Sequence, residues 1–269
     1  MGGSSLDSLV QKAARDLVAA HHAIALTGAG ISTESGIRDF RGPDGVWTKN
    51  PAAERMAYEA YGKFLADPKA YWEERFTGPS LLGNLEDVQP NPGHYALAEL
   101  ETLGVLKCVI TQNVDNLHLR AGSRRVLEYH GNAFKLRCMD CNARYGTEEY
   151  DIDMLFVQGK LPPRCRQCHG VLKADVVHFQ EAIPQDVATE SETEARQCDL
   201  MLICGTSAVV YPFAELPRIA RRRYPRVTII EVNAEPTPLT TDGISDCLIQ
   251  GKTGEILPRI MAEVRRLRG

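Results

Sequence analysis

Ile24-Ala25-Leu26-Thr27-Gly28-Ala29-Gly30-Ile31-Ser32-Thr33-Glu34-Ser35-Gly36-Ile37-Arg38-Asp39-Phe40-Arg41 is the stretch around which this 269-residue chain is organised. Ile24 to Thr27 is an apolar run long enough for a buried strand and too short for a helix. Gly28-Ala29-Gly30 then breaks it, and Ser32, Thr33 and Ser35 supply hydroxyls beyond the turn. A strand ending in glycines lets bare backbone N–H groups approach a phosphate, which suggests a dinucleotide site. By pattern alone the signal is weak, because Thr33 stands where a third glycine of the fingerprint would fall. No strand ends in an acid about 20 residues further on to hold a ribose. The rest of such a site must come from elsewhere in the chain.

Bulk properties narrow the class. Hydrophobic residues make up 43% of the chain, enough for a sizeable core. No apolar run approaches the ~20 residues that span a bilayer. Met1-Gly2-Gly3-Ser4-Ser5 shows no signal peptide, so a cytoplasmic, compact single module without built-in targeting is expected. A net charge of −4 argues against direct nucleic-acid binding. The clusters Arg221-Arg222-Arg223 and Arg265-Arg266 fit the C-termini of predicted helices. A monomer is expected.

Outward from the glycines, Leu6, Leu9, Val10, Ala13, Leu17 and Val18 recur at helical spacing behind Ser5 as N-cap. Residues 45–88 are rich in aromatics (Trp47, Tyr58, Tyr61, Phe64, Tyr71, Trp72, Phe76) and carry Pro51, Pro68 and Pro79. This predicts an inserted helical lobe. Tyr95–Leu103 reads as a helix closed by Gly104, and Val105–Thr111 as a strand delivering Gln112, Asn113, Asp115 and Asn116. Val126–Tyr129 delivers His130, Leu200–Cys204 delivers Gly205-Thr206-Ser207, and Val227–Val232 delivers Asn233-Ala234-Glu235. Asp175–Glu181 reads as another strand. Gln185–Gln197, Pro212–Arg223 and Glu255–Leu267 read as helices.

Strand, polar turn and helix thus recur, predicting an α/β fold: a doubly wound, Rossmann-like parallel sheet with a smaller zinc-ribbon and helical lobe inserted. The expected division is 1–44, 88–132 and 172–269 for the dinucleotide domain, 45–87 for the helical insert and 133–171 for the zinc ribbon. Glu235 or Asn233 is the candidate for the missing acid.

Cys138-x-x-Cys141 and Cys165-x-x-Cys168, with 23 residues between the pairs, can close a tetrahedral shell. Four thiolates leave no open position, so the zinc would be structural; a disulfide pair is the alternative. Cys108, Cys198, Cys204 and Cys247 read as buried bystanders. His130, at a strand end where other polar strand ends converge, is the candidate base, since a neutral imidazole accepts a proton near pH 7. Arg38, Asp39, Phe40 and Arg41 read either as solvated charges or as a lid with an arginine near the phosphates.

Together these residues resemble the sirtuins, NAD-dependent protein-lysine deacylases, of the compact prokaryotic type. Gly28-Ala29-Gly30-Ile31-Ser32…Asp39-Phe40-Arg41 is similar to the family's first signature, Thr111-Gln112-Asn113-Val114-Asp115 to the second and His130-Gly131 to the third. The cysteine pairs, Gly205-Thr206-Ser207 and Asn233-Ala234-Glu235 follow in order. The resemblance implies NAD as co-substrate and an acyl-lysine protein or peptide as partner. It places Gly28 to Asp39 and Arg41 at the pyrophosphate and nicotinamide ribose, with Phe40 over the reactive carbon. Gln112, Asn113 and Asp115 would line the nicotinamide pocket, and Gly205, Thr206, Ser207, Asn233, Ala234, Glu235 and Thr253 the adenosine half. His130 would be the general base, with Asn113 orienting the ribose and a water. The acyl oxygen would attack the ribose carbon as nicotinamide leaves. The base would then activate a ribose hydroxyl against that imidate, giving free lysine and O-acyl-ADP-ribose.

The substrate would add as a strand between Val177, Phe179, Gln180 and Glu181 and the segment with Val210 and Tyr211. Here the chain departs from the family: Lys173-Ala174 replaces an Arg-Pro-type pair, and Gln180 stands where glycine is usual. His178 reads as a half-exposed strand histidine, the alternative being a second titratable group near the substrate. Relatives that prefer acidic acyl groups carry Tyr-x-x-Arg in the helical lobe. Trp72-Glu73-Glu74-Arg75-Phe76-Thr77-Gly78 lacks it, so neutral acyl groups are expected over succinyl. A mono-ADP-ribosyltransferase on the same site, a non-catalytic NAD-binding module and, more remotely, a hydride-transferring dehydrogenase are the rival readings.

Overall fold

The computed structural model describes residues 5–42, 44–77 and 83–269; Met1 to Ser4, Gly78 and Pro79, which entered the sequence reading, lie outside them. In chain order the strands are β1 (Ala23–Thr27), β2 (Leu106–Thr111), β3 (Val126–Glu128), β4 (Gly131–Cys138), β5 (Arg144–Gly146), β6 (Leu172–Val176), β7 (Leu200–Cys204), β8 (Thr228–Asn233) and β9 (Cys247–Gln250). The helices are α1 (Leu6–Ala19), α2 (Val46–Lys49), α3 (Pro51–Ala66), α4 (Pro68–Thr77), α5 (Pro92–Thr102), α6 (Leu117–Arg120), α7 (Ile152–Val157), α8 (Gln185–Gln197), α9 (Leu216–Arg221), α10 (Pro238–Thr241) and α11 (Thr253–Arg268).

Six strands form an all-parallel sheet in the order β3-β2-β1-β7-β8-β9. The chain winds from β1 toward one edge and then returns to wind toward the other. The crevice between β1 and β7 is therefore the topological switch point, where ligands of open α/β sheets bind. Both faces are covered, which is why β1 and β7 are buried at every position and read as unbroken apolar runs. Val10, Leu17, Leu97, Leu100, Ile256 and Ile260 pack one face, and Ala195, Phe213, Leu216 and Ala220 the other.

A second sheet, antiparallel in the order β5-β4-β6, lies outside this frame. Its Leu136 and Leu172 share a core with Phe64, Tyr71 and Trp72 of α3 and α4, so the helical insert and the cysteine-bearing segment pack as one lobe. Trp72 ties them polarly, its indole N–H donating to the Leu172 carbonyl at 2.9 Å. Leu172–Val176 pairs with β4 rather than with the large sheet.

Several elements differ from the sequence reading. The predicted strand Asp175–Glu181 ends at Val176, and Gln180, four residues further on, takes a left-handed φ of +68° that lies outside the extended region. Residues 212–223, read as one helix, open as a 3₁₀ turn before α9, where Pro217 takes an N-terminal position that needs no N–H. The stretch that forms β4 carried no strand expectation, since Lys135 and Arg137 interrupt its apolar pattern; both are ion-paired.

Candidate active site

The glycine stretch is packed tightly against the switch point. Gly30 N–H donates to the Gly205 carbonyl at 2.8 Å. A Cβ on Gly30 would lie 2.7 Å from that oxygen, and one on Gly28 would lie 2.7 Å from the Thr206 side chain. Gly205 itself has φ +61° and leaves no room for a side chain beside Ile31. These glycines form a bare backbone cradle, not flexible filler.

One cleft of about 710 Å³ opens along the carboxyl ends of β1, β2, β7 and β8. Of the residues that the sequence pointed to for the cofactor, all line it except Gly28, Ile31, Ser35 and Gly36. The six substrate-strand positions line it as well. Sequence reasoning did not assign Trp47, Ala57, Leu85 or Ile183 to the site, though all four line it. They belong to no motif; for Trp47, Ala57 and Leu85 the aromatic bias of residues 45–88 was the only signal, and Ile183 had none.

At one end of the cleft, polar groups are locked together. Asn113 donates through Nδ2 to the Gly28 carbonyl at 3.1 Å and to Ser32 Oγ at 3.0 Å. Ser32 donates to Asp115 Oδ2 at 2.6 Å, and burial pushes the Asp115 carboxyl up. Gln112 reaches across the switch point, Nε2 donating to Thr206 Oγ1 at 2.7 Å.

His130 projects from the β3–β4 junction with Nδ1 3.3 Å from the Gln112 carbonyl. A carbonyl only accepts, so Nδ1 carries the proton and Nε2 is left as a bare acceptor. Burial lowers this imidazole to about 4, so it is neutral at pH 7. Among the described residues no carboxylate is bonded to its ring; the arrangement suits a base whose proton donor arrives with the substrate.

The opposite wall is aromatic. Phe40 packs on Trp47 at 4.7 Å, Trp47 on Phe179 at 5.5 Å, and Phe179 stacks on Tyr58 at 4.1 Å. Arg41 lies over the Trp47 ring at 4.6 Å and 3.8 Å from Glu54. The segment after β6 forms the edge of this wall. Val177 N–H donates to the His130 carbonyl at 2.9 Å, coupling the edge to His130. His178, expected as a half-exposed strand histidine, lies beyond the strand, with Nε2 2.8 Å from the Tyr71 hydroxyl and its imidazole lowered by burial to about 3. Behind the edge, buried Lys173 donates to the carbonyls of Ala174 and Val176 and pairs with Glu181 at 3.2 Å. Arg137 bridges Glu181 and Asp175, and Arg144 bridges Asp175 and Asp186. Across the cleft, Val209 and Tyr211 are exposed.

The sequence signature of the Sir2 family matches residues 28–212, spanning the glycine cradle, His130 and the substrate edge. The chain belongs to the Sir2 family. It is 47% identical to the NAD-dependent protein deacylase 2 of Archaeoglobus fulgidus over 98% of this chain and 99% of that one. A solved Sir2 homologue in complex with NAD superposes with a TM-score of 0.76 at 39% identity, over 96% of this chain and 95% of the other. Sir2Af2 bound to a myristoylated histone peptide matches with a TM-score of 0.66 at 42% identity, over 97% and 98% of the two chains.

Distant from the cleft, the sulfurs of Cys138, Cys141, Cys165 and Cys168 all lie within 4.8 Å of one another. Cys138 and Cys168 are 3.4 Å apart and Cys141 and Cys165 3.7 Å. Four thiolates around zinc at ~2.3 Å would sit about 3.8 Å apart, so the set fits a closed structural site. Asn142 and His169, each following the second cysteine of its pair, take φ of +60° and +61° and turn the chain back around the sulfurs. The disulfide alternative does not describe this geometry, which places four sulfurs in one cluster rather than two bonded pairs.

Proposed function

We propose that this Sir2-family protein transfers the acyl group of an acyl-lysine peptide to the ADP-ribose of NAD, with one water consumed, giving free lysine, nicotinamide and O-acyl-ADP-ribose. NAD-dependent protein deacylase activity is common to its relatives at 40–47% identity over nearly the whole chain. The observation that carries the assignment is the neutral His130 imidazole, its bare Nε2 beside a glycine cradle at the β1–β7 switch point. The cradle fits a dinucleotide on its own evidence. Its glycines leave no room for a Cβ where the 28–30 and 205–207 loops meet, and the Thr253 hydroxyl, which belongs to a cleft-lining residue, is buried with no partner among the described residues.

NAD, when bound, supplies the electrophilic ribose carbon and the hydroxyl that receives the acyl group. Gly30, Ala29 and Ser32 hold the pyrophosphate side, and Asp39 and Arg41 cap the ribose. Thr206, Ser207, Asn233, Ala234, Glu235 and Thr253 take the adenosine half. Asn113, fixed by Gly28 and Ser32, orients the ribose end with Gln112 and Asp115. Phe40 shields the reaction from water, and His130 Nε2 takes the proton of the acceptor hydroxyl. In this division residues 1–44, 88–132 and 172–269 carry NAD, while 45–87 and 133–171 build the lobe that closes over the acyl chain.

The peptide adds between the 177–181 edge and the Val210–Tyr211 segment. The acyl group enters against Phe40, Trp47, Ala57, Leu85 and Phe179, an apolar wall that favours neutral acyl chains over succinyl. Paired acetyl- and succinyl-lysine peptides test this: deacetylation exceeds desuccinylation, and the reverse order would refute the preference. Retention of Asn113 and His130 favours deacylation over ADP-ribosyl transfer to protein, which needs no such base.

A further inference from the structure

Glu231 is the one acid in strand β8, and it is fully buried. It lies behind the cleft wall, not in it. All four of its partners are neutral. Thr240 and Ser245 hydroxyls donate to Oε1 at 2.6 Å each; the Thr237 hydroxyl donates to Oε2 at 2.5 Å, and Asn233 Nδ2 donates to Oε2 at 3.1 Å. An apolar strand has no packing need for such a group. A buried threonine, Thr237, and the half-buried Thr240 and Ser245 are gathered around a carboxylate where aliphatic side chains would have packed more simply.

The carboxylate has one property that an amide or hydroxyl lacks: it accepts on both oxygens and donates from neither. Asn233 must therefore turn its amide nitrogen toward Glu231. Its carbonyl oxygen then faces the cleft-forming loop, where it accepts from the Thr206 N–H at 3.0 Å, while Nδ2 also reaches the Thr206 carbonyl at 3.2 Å. Thr206 in turn accepts from Gln112 Nε2 and covers Gly28. The polarity of one buried acid thus dictates which way a cleft-lining amide points, and through it where the 205–207 loop sits.

We propose that Glu231 is a positioning residue for NAD: it fixes the side-chain amide of Asn233 and, through Thr206, the loop at the adenosine end of the cleft. The inference rests on the NAD-binding reading above.

The test uses the full chain and NAD itself. Glu231→Gln keeps the size but replaces one acceptor oxygen with an N–H donor, so residue 231 no longer obliges Asn233 to turn its amide nitrogen toward it. Its dissociation constant and KM for NAD rise about tenfold, the loss expected for one hydrogen bond to a charged group. Its kcat and its KM for acyl peptide stay within twofold. Glu231→Asp, which keeps the charge and withdraws it by one methylene, shows the same split. Ser245→Ala, which removes a donor to the carboxylate oxygen that Asn233 does not use, lowers the melting temperature and leaves KM for NAD within twofold. NAD affinity of E231Q within twofold of the parent overturns the proposal. So does a parallel loss in NAD, peptide and kcat terms, or failure of both E231Q and E231D to fold, since either marks a merely structural acid. Parent protein that binds no NAD in the calorimeter refutes the NAD-binding reading instead.

Discussion

His130 Nδ1 lies 3.3 Å from the carbonyl oxygen of Gln112, and this single contact decides which ring nitrogen can act as a base. Gln112 follows directly from β2, whose position in the sheet is set by pairing with β1. The tautomer of the base is therefore a consequence of strand register, not of a catalytic triad.

Burial lowers His130 and His94 to about 4, His178 to about 3 and His118 well below its ordinary value. In the unfolded chain each would titrate near 6.5. Between those values the unfolded state binds protons that the folded state does not. Stability is thus fully present above pH 6.5 and falls as pH drops toward 4, by up to about 1.4 kcal/mol per pH unit for each imidazole. Asp115, raised by burial, opposes this weakly. Urea titrations at pH 7 and pH 5 should show lower stability at pH 5, while kcat/KM shows no acid limb centred on 6.5.

Gly30→Ala puts a Cβ 2.7 Å from the Gly205 carbonyl, which forces the 28–30 and 205–207 loops apart. We expect NAD binding to fall by more than tenfold, with the zinc content unchanged. Calorimetry and metal analysis on the same sample check both halves.

Chelation of metal should act on the lobe before the large sheet. Structural zinc in isolated fingers contributes roughly 10–16 kcal/mol of apparent binding energy. The four sulfurs share their lobe with Phe64, Tyr71 and Trp72. Chelator should therefore shift tryptophan emission and raise KM for peptide, while far-ultraviolet dichroism retains most of its helical signal. Unchanged emission after complete metal removal would argue against the packing described.

Gln180 sits at φ +68°, a conformation that costs a non-glycine residue about 1 kcal/mol. Gln180→Gly should relieve that cost and raise the melting temperature by roughly 2–4 °C. The same change removes a side chain that lines the cleft, so KM for peptide should change while KM for NAD does not.

The parts of the fold legible in the sequence were those where one physical term dominates. β1, β7 and β8 are buried on both faces, so their apolar runs announced them, and Ser5 capped α1 as its hydroxyl predicted. β9 gave no signal, because at the sheet edge Cys247 and Leu248 are only half-buried and Gln250 is exposed. The polar half of the cleft could be read because Gln112 and Asn113 follow β2 directly and Asn233 ends β8. The apolar half could not: Trp47, Ala57 and Leu85 reach the cleft by lobe packing, which leaves no spacing to read. Glu231 was invisible for a different reason, being a lone acid whose donors come from positions 6, 9 and 14 residues onward as well as from Asn233.

The most direct test is to incubate the protein and His130→Ala with an acetyl-lysine peptide, with and without NAD, and follow every product by mass spectrometry. The predicted result is loss of acetyl only with NAD, one nicotinamide and one O-acetyl-ADP-ribose per lysine freed, and a rate lowered by ~10²–10⁴ in a mutant that still binds NAD. NAD consumed while the acetyl peptide stays intact would contradict the account and hand the site to ADP-ribosyl transfer or NAD hydrolysis.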